Sequence, residues 1–157
     1  MIAVIAIMTM PLFISVIGGY YVYTHVQHSL RETTEETINE LIPLTNLQIA
    51  LISVQMPAND YLIHGNVEER IHYDQLRTEL IHAFDAVNNA PFTTDQLSKL
   101  RTTQVSWQKI DYLSSSILAS ATPVGDKKLA EKMEILDELA NQSSDIIEEI
   151  YKKIVSP

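Results

Sequence analysis

The sequence predicts an all-α protein in which an N-terminal transmembrane helix continues into an up-down-up-down four-helix bundle. Three observations carry this. The first 30 residues contain no Asp, Glu, Lys or Arg, whereas all 31 such residues lie from Arg31 onward. Residues Leu129, Met133, Leu136, Ala140, Ser143, Ile147, Ile150 and Ile154 follow alternating spacings of four and three, a coiled-coil-like seam. Finally, no segment after the apolar run sustains the alternation of a strand, and the 157 residues include only 4 Gly and 6 Pro.

The first element is the uncharged run from Ile2 to about Val26, long enough to cross roughly 30 Å of hydrocarbon at about 1.5 Å per residue. Tyr20, Tyr21 and Tyr23 crowd one end, where amphipathic rings favour the headgroup layer. A cleaved signal peptide would have a shorter core ending in small residues, which Tyr-Tyr-Val-Tyr does not supply. The domains expected are thus a transmembrane helix over 1–26 and an extracytoplasmic bundle over 27–157. Four Arg and seven Lys scattered through the acidic part favour translocation over a cytoplasmic location.

The bundle helices are expected at about 27–64, 67–88, 94–120 and 126–155. Leu30, Leu41, Leu44, Leu47, Leu51 and Leu62 mark the first, which Pro43 and Pro57 are expected to bend, and it ends near Gly65. Ile71, Leu76, Leu80, Ile81, Phe84 and Val87 mark the second, with Asn66 and Glu69 in capping-box spacing. Leu97, Leu100, Trp107, Leu113, Ile117 and Leu118 mark the third, with Thr93 and Gln96 in the same spacing. Short joints make sequential helices antiparallel neighbours.

Composition narrows the function. The net charge is −9, with no basic cluster interleaved with aromatics, so nucleic acid is not an expected partner. The absence of Cys excludes a disulfide scaffold, a thiolate metal site and a cysteine nucleophile. No nucleophile elbow, phosphate loop or metalloprotease motif occurs, so the fragment is read as non-catalytic, with no cofactor. Glu69-x-x-His72 and Glu79-x-x-His82 have the spacing of di-iron bundle ligands, but both lie on one helix ten residues apart. They diverge by about 80° and 15 Å, so they do not close one metal site.

The segment Gln55 to Arg70, with Tyr61, Leu62, Gly65, Asn66, Glu69 and Arg70, resembles the four-helix-bundle extracytoplasmic sensor domains of bacterial chemoreceptors and sensor histidine kinases. The resemblance runs over roughly 24–157 and is carried mainly by a helix stop and restart. It implies a homodimer, self-associating through the first and fourth helices, in the bacterial inner membrane with the bundle in the periplasm or outside the cell, a second transmembrane helix, and a cytoplasmic effector. The chain is then expected to be a fragment of a longer receptor. Its input would be a small-molecule ligand or a periplasmic protein, passed inward as a helix displacement. The alternative is a structural or scaffolding membrane protein with a helical ectodomain.

Candidate ligand-binding residues follow from polar side chains at expected seam positions and from paired cations. Gln48 and Gln55 in the first helix and Gln104, Asp111 and Ser114 in the third, beside Trp107, either set register or line a pocket walled by the indole. Arg70 and Arg77, seven residues apart on one helix face, either hold a carboxylate ligand or pair with Glu69, Asp74 and Glu79.

Overall fold

The computed structural model describes Tyr20 and residues 38–155. The predicted span over 1–26 and its continuation to residue 37 therefore lie outside the described residues, Tyr20 apart. The chain divides into compact units over 1–38 and 39–157, and the second carries the architecture. Among the described residues all regular structure is helical and no strand occurs.

Helix α1 covers 38–53 and, after a two-residue turn at Val54-Gln55, α2 runs Met56–His64. Pro57 stands in the first turn of α2, where its missing N–H is least costly. The i→i−4 bonds Val54 N–H to Ala50 O and Asn59 N–H to Gln55 O carry the chain across the turn. The turn before Pro57 thus breaks the regular α-helix without ending the helical stretch, which runs Ile38–His64, while Pro43 sits within α1. Gly65 then ends α2 at φ 68°, a left-handed conformation that L side chains disfavour, and its N–H donates to Tyr61 O. A Cβ at Gly65 would also meet Val124 at 3.5 Å, so this turn packs against the chain before the last helix.

Helix α3 spans Glu69–Asn88, α4 Thr94–Leu118 and α5 Lys127–Val155. The expected box at Asn66 and Glu69 does not form: Asn66 Oδ1 accepts from Glu68 N–H, a local turn, and α3 starts without a side-chain cap. The box at Thr93 and Gln96 does form, with Thr93 Oγ1 accepting from Gln96 N–H and Gln96 Oε1 from Thr93 N–H. Asp126 opens α5 by accepting from the N–H groups of Lys128 and Leu129, a cap that stands just after Gly125 at φ 80°.

The core gathers one stripe from each helix. Leu44, Leu47, Leu51, Val54, Ala58 and Tyr61 face inward from α1 and α2, all buried. Opposite them lie Tyr73, Leu80, Phe84 and Val87 of α3 and Leu100, Trp107, Ile110 and Ile117 of α4. In α5 the seam from Leu129 through Ile150 is buried at every position, and Ile154 packs against it. Ile71 and Ile81 were expected in the core of α3 but are exposed; Tyr73 occupies that face instead.

One helical stretch among the described residues, Ile38–His64, is long and apolar enough to cross a membrane by length and composition. Its inner stripe is buried at every position from Leu44 to Tyr61, so the same hydropathy also serves a core helix.

Candidate functional site

Arg70, Tyr73 and Arg77 recur at spacings of three and four on α3 and so share one face. Tyr73 is buried, and its hydroxyl donates to Asp111 Oδ1 at 2.8 Å. Arg77 grips the same carboxylate with two nitrogens, Nε to Oδ1 at 2.7 Å and Nη2 to Oδ2 at 2.9 Å. This fork-on-fork pairing is the strong geometry for a guanidinium and a carboxylate. Burial and then the Asp111 charge hold the Tyr73 phenol well above its ordinary range, because ionising it would place a second anion beside the first. Asp111 in turn keeps Arg77 protonated.

One turn toward the N-terminus of α3, Arg70 Nη2 donates to Tyr61 Oη at 2.8 Å and to Ser120 O at 3.3 Å. Tyr61 Oη itself donates to Ser120 O at 2.6 Å, and the guanidinium lies 5.3 Å from the Tyr61 ring centroid. The end of α2, the start of α3 and the chain after α4 are thus tied by one cation. A shallow cleft of about 230 Å³ opens here, lined by Arg70, Tyr73, Asp74, Ser115, Leu118 and Ala119.

The six sequence candidates fall in different places. Arg70 faces this cleft, while Arg77 and Asp111 neutralise each other beside it. The helix-surface pairing expected of the two arginines is replaced by contacts across to other elements. Trp107 is buried in the core. Gln55 is half-buried at the α1–α2 turn, where Nε2 donates to Leu51 O at 2.7 Å. Gln104 is exposed: the seam of α4 runs through Leu100, Thr103, Trp107, Ile110, Ser114 and Ile117, and Gln104 is one residue, about 100°, off it. Gln55, Gln104 and Trp107 do not line the cleft at Arg70.

The sequence reading missed Thr103, Tyr61 and Ser120. Thr103 and Ser114 are fully buried, and among the described residues the Thr103 hydroxyl meets no partner, so both are polar points inside an apolar seam. Tyr61 was legible only as part of the helix stop, and Ser120 contributes a backbone carbonyl that no side-chain motif marks. Of the Glu-x-x-His pairs, Glu69 and His72 touch at 3.4 Å, and among the described residues no group of three or more metal-ligating side chains assembles.

No protein-family model, curated protein or solved structure matches this chain.

Proposed function

We propose that the chain is the extracytoplasmic input domain of a bacterial transmembrane signal-transduction receptor of the histidine kinase or chemoreceptor type. In this reading residues 1–26 anchor it in the inner membrane. The α1–α2 arm, α3, α4 and α5 form an up-down-up-down four-helix bundle that works as a homodimer and has no catalytic role of its own. The observation that carries the reading is α5: an unbroken helix over Lys127–Val155 whose apolar seam is buried at every position from Leu129 to Ile150. In this reading a shift imposed at the start of this packed helix is passed along the seam to its far end. In an up-down-up-down arrangement that far end lies beside the start of α1, where a membrane signal enters or leaves.

The input in this reading is a small anion at Arg70 or a periplasmic protein covering that end of the bundle. Binding would compete for the guanidinium that ties Tyr61 to Ser120, and a differential affinity of a few kcal/mol suffices to shift a two-state packing. The test is a chimera in which residues 1–157 replace the input portion of a sensor kinase of known output. A panel of carboxylates, phosphate and periplasmic extract should contain an activity that changes phosphorylation in the parent chimera and not in its Arg70→Ala variant. If the inserted, folded chimera answers nothing in the panel and its basal output is indifferent to Arg70→Ala, the receptor reading fails in favour of a scaffolding ectodomain.

A further inference from the structure

The outer groove between α4 and α5 is apolar where a solvated helix surface is polar. Val105 and Tyr112 of α4 and Ile135 of α5 are 56%, 73% and 54% exposed. With half-buried Leu113 and Leu139 they line an open groove of about 350 Å³. A polar link stands toward each end, Lys99 with Glu149 and Lys132 with Ser116. The stretch of α4 between these links is roughly 26 Å long. The two walls differ in charge. Glu131 and Glu138, both exposed, stand four residues before and three after Ile135 and so flank it on α5, whereas Lys109 lines the groove from α4. No ion pair among the described residues joins Lys109 to either glutamate.

We propose that this groove docks one amphipathic helix of a separate protein, with its apolar stripe on Val105, Tyr112 and Ile135, basic side chains over the α5 wall and a carboxylate over Lys109. The site lies apart from the Arg70 cleft and needs only α4 and α5, so it holds whether or not the chain is a receptor. Shape selects a helix. A groove between two packed helices is concave and accepts the convex ridge of a third. It is too open to bury most of a small molecule, as a small-ligand pocket does. Two such grooves brought together would meet at their rims and leave both floors uncovered. Charge selects a different protein over a second copy. The chain carries a net charge of −9, which repels another copy and attracts a basic helix. The other exposed apolar stripe, on the α1–α2 arm, does not fit as the occupant, because residues 41–59 include no charged side chain to meet either wall.

The probe is a fluorescein-labelled helical peptide of about 18 residues, roughly 27 Å long, with Leu along one stripe, Lys on one flank and Glu on the other. A second version carries Glu on both flanks. Fluorescence anisotropy is read on the full chain in nanodiscs of neutral lipid, with empty nanodiscs subtracted. The mixed-flank probe should bind about tenfold more tightly than the all-Glu probe. Ile135→Glu should weaken it about tenfold with unchanged circular dichroism, and Glu131→Lys combined with Glu138→Lys about fivefold. Ile49→Glu, on the arm, should leave it unchanged. Occupancy in cells that natively express the chain is read through Tyr112→Cys, which supplies the sole thiol, against Val124→Cys in an exposed loop. The ratio of their labelling rates with a water-soluble maleimide should be about fivefold lower in cells than in nanodiscs, and Ile135→Glu should restore it. Equal binding of the two probes, binding that survives Ile135→Glu, or no binding to the parent overturns the proposal. So does a labelling ratio that is the same in cells and nanodiscs, or a disulfide dimer of Tyr112→Cys, which would put a second copy on the groove.

Discussion

Asp111 accepts from two α3 side chains at once, and the consequences of removing each member differ. Asp111→Ala leaves the buried Tyr73 hydroxyl without its carboxylate and should cost about 1–3 kcal/mol in urea unfolding. Tyr73→Phe removes donor and need together and should cost only about 0.5–1.5 kcal/mol. Arg77→Ala should cost less than about 1 kcal/mol, because its side chain is 46% exposed and solvent screens the pair. Equal losses in all three variants would contradict this ordering. The phenol also sets a pH dependence. A group whose folded pKa is raised contributes stability that is full below its unfolded value, about 10, and is lost as pH rises toward the folded value. Unfolding free energy measured between pH 8 and 11.5 should therefore fall more steeply for the parent than for Tyr73→Phe, and parallel slopes would refute the assignment.

At the scale of elements, helix punctuation and core packing give separable costs. Thr93→Ala removes the hydroxyl that accepts from Gln96 N–H, leaving the backbone half of the α4 capping box, and should cost about 1 kcal/mol. Trp107→Ala empties a core position and should cost about 3–5 kcal/mol. A Trp107→Ala loss no larger than that of Thr93→Ala would show that the indole is not packed as described. The same contrast explains what could be read from the sequence. The α5 seam was legible because every position is apolar or small and the period never slips. In α4 the period was harder to see, since Thr103 and Ser114 occupy core positions without apolar side chains and Gln104 stands next to the stripe. Ile71 and Ile81 misled because they are apolar on an outward face. The site was least legible. Arg77 with Asp111 and Arg70 with Ser120 join positions 34 and 50 residues apart, whereas sequence spacing reveals only neighbours three and four apart on one helix. It therefore offered Glu69, Asp74 and Glu79 as partners, and the fold brings others.

Across the whole molecule, the α1–α2 arm is apolar on two faces, one filled by the core and one exposed, while α5 spends its single seam inside the chain. In the proposed receptor α5 is the helix whose shift against its neighbours carries the signal. Lys99 and Glu149 link α4 to α5 by an ion pair, and Lys153 joins Asp95 of α4 at 3.2 Å, both near the end of α5 that would lead inward. The depressed Glu149 carboxylate keeps the first pair intact until pH falls toward its folded pKa, below the ordinary range of a glutamate. The most direct test of the account replaces Lys99 and Glu149 by Cys in the sensor-kinase chimera and joins them with a short bismaleimide. Phosphorylation is then compared between bridged and unbridged samples of that one variant, with circular dichroism confirming equal helix content. The account predicts that bridging shifts basal phosphorylation at least threefold, because it removes the displacement of α5 that sets the output. Complete bridging with an unchanged rate would contradict it.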